Sequence, residues 1–74
     1  MSRKSLPDAT RHRPDPEYIT SLVELAKQRN GLTSQDAVAK RMGVGRSTLK
    51  DWMSGVAQVG YPAQYTLERL AGVI

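Results

Sequence analysis

The sequence predicts a small all-α domain of four helices, at most five, built round a helix-turn-helix. Apolar residues recur at i, i+3 and i+4 in separate short blocks, and Gly or Pro stands at the edges of those blocks. The stretch TSQDAVAKRMGVGRSTLKDWMSG, residues 33–55, sets two short helical patterns on either side of a Gly-Val-Gly break. With 74 residues, such a chain buries only about 60% of its unfolded surface, so one domain with a thin core is expected.

Composition narrows the function. There is no cysteine, and His12 is the single histidine; a disulfide framework, a thiolate metal site and a histidine metal cluster are excluded, and no cofactor is expected. Neither a signal peptide nor a membrane span is readable, and a cytoplasmic setting is expected. Eleven Lys and Arg against seven Asp and Glu give a formal charge of +4, a balance that favours an acidic polymer as partner.

Residues 1–14, MSRKSLPDATRHRP, carry Arg3, Lys4, Arg11 and Arg13 against Asp8 and have no apolar period. They read as a flexible basic arm, either a solubility tail or a segment in which residues such as Arg13 meet the DNA backbone. The folded domain, residues 15–74, opens at Asp15-Pro16, where Asp15 can cap and Pro16 suits the first helical position. Helix 1 runs to about Asn30, with Tyr18, Ile19, Leu22, Val23, Leu25 and Ala26 as its apolar stripe and Gly31 as its left-handed stop.

Helix 2 starts at Thr33 or Ser34, either of which can cap, and Thr33 with Asp36 makes a variant of a capping box. Val38, Ala39 and Met42 share a face, whereas Gln35, Asp36 and Lys40 point away from it. Helix 3 begins near Arg46 and places Leu49, Trp52 and Met53 on one face. The opposite stripe, Arg46, Ser47, Lys50, Asp51 and Ser54, is polar throughout. Two helices joined by a short Gly-containing turn can place the second in a DNA major groove.

Gln35, Ala39, Gly43, Val44, Leu49, Trp52 and Gly55 together resemble the pattern of lambda-repressor and Cro-like (XRE) DNA-binding domains. The resemblance implies a lambda-repressor-like fold. Gly45 departs from it, because the family commonly has Ser or Thr there, and leaves the recognition helix a weaker cap. Over most of the chain, HRPDPEY, the helix-turn-helix and GYPAQYTLERLAG are similar to the small anti-CRISPR-associated (Aca) phage repressors. That similarity implies a homodimeric repressor that binds an inverted repeat in the promoter of its own operon.

Each polar residue then has a candidate role at double-stranded DNA. Arg46 can present a planar fork to O6 and N7 of guanine, or contact phosphate, or simply be solvated. Ser47 and Lys50 are further base-contact candidates. Asp51 either accepts from cytosine N4 or turns toward a neighbouring cation. Gln35 and Thr48 are placed for the DNA backbone, with Lys40 and Arg41 as flanking charge or a solvated face. The spacing of Trp52 with Leu49 and Met53 marks it as core rather than a base-stacking platform.

Helix 4 covers about residues 62–71, opening at Pro62 and stopping near Gly72. Val59, Tyr61, Tyr65 and Leu70 are candidates for a twofold interface, although some apolar residues of this helix must close the monomer core. A twofold pair predicts a palindromic operator with half-sites about 34 Å apart. The competing reading is an antitoxin or phage regulator whose main partner is another protein. An enzyme is not expected: Asp15, Glu17, Glu24, Asp36 and Glu68 are accounted for by caps and exposed helix faces, and no nucleophile sits beside a base.

Overall fold

Helical periodicity and chain punctuation produce four helices in the order α1 (Pro16–Asn30), α2 (Gln35–Met42), α3 (Arg46–Ser54) and α4 (Tyr61–Ala71). The computed structural model describes residues 12–74. Among the described residues there is no strand, and no helix is long and apolar enough to cross a membrane. Arg3, Lys4 and Arg11 of the expected arm lie outside the described residues.

α1 is the spine. It packs most extensively on α4 and also on α3 and α2, while α2 packs on α3. Ile19, Leu22, Val23 and Ala26 are its buried stripe. Leu25, expected in that stripe, is instead 40% exposed, because it falls about 110° round the helix from the mean direction of the buried residues. Val38 and Ala39 enter the core from α2, Leu49 and Trp52 from α3, and Leu67 and Ala71 from α4. Ala39 is 1% exposed, a small side chain where α2 and α3 pack together.

The helix ends follow local chemistry, with three corrections. Pro16 opens α1 as expected, but Asp15 makes no side-chain cap bond, and only its carbonyl serves, accepting from the Ile19 N–H at 3.0 Å. At α2 the capping box of Thr33 and Asp36 gives way to Ser34, whose Oγ accepts from the Ala37 N–H at 3.1 Å. α4 begins one residue early, at Tyr61, leaving Pro62 inside the first turn, where its missing N–H still costs no helical bond. The sharp α2–α3 turn depends on Gly43, at φ 80°, a conformation that costs a residue with a Cβ roughly 1–2 kcal/mol.

The first described residues do not behave as an arm. The ring Nε2 of His12 donates to the Val59 carbonyl at 2.5 Å, and the Arg13 N–H donates to Gln64 Oε1 at 2.7 Å. The Arg13 guanidinium stacks 3.8 Å over the Tyr18 ring. Residues 12–14 are therefore a strap across the N-terminal ends of α1 and α4, and the expected arm boundary at residue 14 is too late. Near the other end, Asn30 Nδ2 donates to the carbonyls of Ala26, at 2.9 Å, and Leu70, at 2.8 Å.

Glu68 is the largest departure from expectation. Read from sequence as an exposed helix residue, it is fully buried on α4 beside the equally buried Gln64. The Tyr18 hydroxyl and Gln64 Nε2 both donate to its Oε2, while Oε1 is buried with no hydrogen-bond partner. Burial, with the hydrogen bond and negative charge of Glu68, pushes the Tyr18 phenol above its ordinary value of 10.0, against a pull downward from Arg13.

Two outcomes follow from this packing. Leu49→Ala should lower unfolding free energy by about 2–5 kcal/mol in urea titrations, since the side chain is wholly enclosed. Tyr18→Phe should cost about 1–3 kcal/mol. A phenol held above its unfolded value adds stability that is complete below pH 10 and lost as pH rises past it. Urea titrations at rising alkaline pH should therefore show a shallower stability loss in the Phe variant.

Candidate nucleic-acid interface

The two sides of α3 differ, with Asp51 and Met53 half-buried between them. Leu49 and Trp52 are buried, whereas Arg46, Ser47, Thr48, Lys50 and Ser54 are exposed. A nine-residue helix has too few turns to persist alone in water, so the packing that stabilises α3 also decides which side faces out. Trp52, 9% exposed, is core, as its spacing predicts.

The turn Gly43-Val44-Gly45 brings the first turn of α2 beside the first two turns of α3. Gln35 and Asp36 from α2, with Arg46, Ser47 and Lys50 from α3, line one surface depression of about 310 Å³. Four of these five are sequence-predicted site residues that lie on two separate helices. The Nη1 of Arg46 donates to Asp36 Oδ2 at 3.2 Å. Both side chains are well exposed, at 77% and 59%, so the pair contributes only about 0–1 kcal/mol to stability. Both residues line the depression.

The other predicted residues are dispersed. Thr48 is exposed in the first turn of α3, and Lys40 and Arg41 are exposed on α2, all outside the depression's lining. Asp51 is half-buried, and among the described residues no ion pair joins it to a cation. Its carbonyl instead closes α3, accepting from the N–H groups of Gly55 and Ala57. Arg13 stands over Tyr18 and takes no part in the depression.

The four interface candidates separate. Tyr61 and Tyr65, one turn apart on α4, are each 41% exposed, with the Arg69 guanidinium 5.9 Å from the Tyr65 ring centre. Leu70 is partly buried against the core. Val59 is 1% exposed; it belongs to the core and not to an outward face.

Asp36 is the residue that sequence reasoning missed here. It was read as a capping partner, a role that needs only local spacing, while its actual partner lies ten positions on across the turn. No protein-family model matches the chain, and no curated protein or solved structure matches it.

Proposed function

We propose that this chain is a sequence-specific DNA-binding repressor acting as a homodimer, with α3 as the helix presented to the major groove. The observation that carries the reading is the depression shared by α2 and α3. It gathers Arg46, Lys50, Ser47 and Gln35 on one exposed face, while the back of α3 is buried against the body of the domain.

The chemistry of that face suits duplex DNA. Arg46 supplies a bidentate donor fork for guanine, Lys50 a mobile cation for base edge or phosphate, and Ser47 a hydroxyl that both donates and accepts. Gln35, at the first position of α2, has an amide able to donate to a phosphate, a contact that fixes register without reading sequence. The net charge of +4 adds long-range attraction that weakens with salt. Resemblance to the lambda-repressor-like and Aca patterns supports repression of the protein's own operon, with anti-CRISPR genes as the regulated neighbours.

The exposed tyrosines of α4 support a twofold pair. Tyr61 and Tyr65 present two aromatic rings at helical spacing with cationic Arg69 beside them, a composition enriched in interfaces between proteins. A paired chain binds an inverted repeat through two copies of α3.

Sedimentation of the purified protein alone, with DNA from upstream of its own gene, and with a scrambled duplex of equal length tests the reading. Preferential binding to the upstream DNA by a dimer is the expected result; equal binding to both duplexes at moderate salt would reject it. Arg46→Ala should lose about 1–3 kcal/mol on the preferred site and relax choice at one base pair per half-site. Gln35→Ala should weaken binding to every duplex alike. Replacing Tyr61 and Tyr65 together with Glu should yield a monomer by sedimentation, with far-ultraviolet circular dichroism unchanged.

A further inference from the structure

Among the residues lining the depression, Asp36 alone does not suit a polyanion. A carboxylate on a surface that meets a polyanion weakens attraction to every duplex, whatever its sequence. Asp36 nevertheless stands in the lining, 59% exposed and bonded to the guanidinium of Arg46. It does not cap α2, because Ser34 takes that role. Nor does an ion pair this exposed hold the fold together.

We infer that Asp36 is a positioning residue that determines specificity: it orients Arg46 toward one base pair and disfavours DNA that cannot use the arginine so held. The inference rests on α3 being the DNA-reading helix. The geometry carries it in two steps. First, Asp36 Oδ2 accepts from Nη1 alone. The guanidinium has five donors in a rigid fork, so the edge formed by Nε and Nη2 remains open to face O6 and N7 of guanine. An arginine already oriented loses less conformational freedom on docking, and it docks in one direction.

Second, the carboxylate acts against wrong partners. At a guanine the Arg46 fork is satisfied by base and Asp36 together, and the negative charge stays neutralised. On other sequences Arg46 must swing to a phosphate, which leaves Asp36 unpaired beside the DNA backbone, a like-charge juxtaposition of the kind that separates right from wrong partners. Asp36 thus lowers affinity for random DNA while Arg46 retains affinity for the right site.

Selection from a randomised double-stranded DNA library by the purified full-length chain, compared with Asp36→Asn, tests this. The wild-type chain should enrich a motif with a fixed guanine in each half-site. Asp36→Asn should lower preference for that guanine by about tenfold, the size of one directed base contact, while affinity for random duplex holds or rises. Asp36→Glu, which keeps the charge, should recover part of the preference, and Asp36→Asn combined with Arg46→Ala should lose no more than Arg46→Ala alone. Unchanged base frequencies in Asp36→Asn, or an equal change of affinity for all sequences, would overturn the positioning role while leaving DNA reading by α3 intact. Failure of the wild-type chain to enrich any motif would overturn both. Thermal unfolding of each variant, expected to match wild type, separates a loss of orientation from a loss of fold.

Discussion

Burial of Leu49 and Trp52 against the stripe of Ile19, Leu22, Val23 and Ala26 is the contact on which the molecule depends. α2 and α3 are eight and nine residues long, too short for their own hydrogen bonds to offset the entropy of ordering them. They are helices because α1 gives them an apolar surface. The rotation of α3 about its axis is therefore not independent of stability, and the cations of the outward face are aimed by the hydrophobic contact behind them.

A second constraint acts between α1 and α4. Apolar contact between α1 and α4 favours closeness without favouring any one register. Hydrogen bonds do favour one, and Tyr18 to Glu68, Arg13 to Gln64 and Asn30 to the Leu70 carbonyl are distributed along that interface. Burying a carboxylate in so thin a core is costly. The bonds from Tyr18 and Gln64 offset part of that cost, and the orphaned Oε1 marks where it is not offset.

What could be read from sequence was whatever has local causes. The bounds of α1 were legible because Pro16 and Gly31 act on the residues beside them, and its apolar spacing marked every buried residue while also admitting Leu25, which faces out. The outward stripe of α3 was legible because Leu49 and Trp52 commit the other side to the core. Glu68 was not, since a carboxylate among polar neighbours at helical spacing reads as solvent-facing, and the burial of Glu68 comes from Tyr18, fifty positions away. The Asp36–Arg46 pair was hidden for the same reason. Val59 went astray because loop residues have no period to show which way they turn, and residues 12–14 because a strap held by backbone and ring contacts has the composition of a tail.

The bridges at the two ends of α4 make it continuous with α1 in a mechanical sense. His12 and Arg13 tie its N-terminal approach, and Asn30 ties its C-terminal turn, so α4 is bonded to the rest of the domain at both ends. Anything seated on Tyr61 and Tyr65 grips a handle tied at both ends, and two such handles joined would behave as the legs of a caliper. The distance between paired copies of α3 would then be a property of the folded body, to be matched by the spacing of whatever lies between the legs rather than adjusted to it.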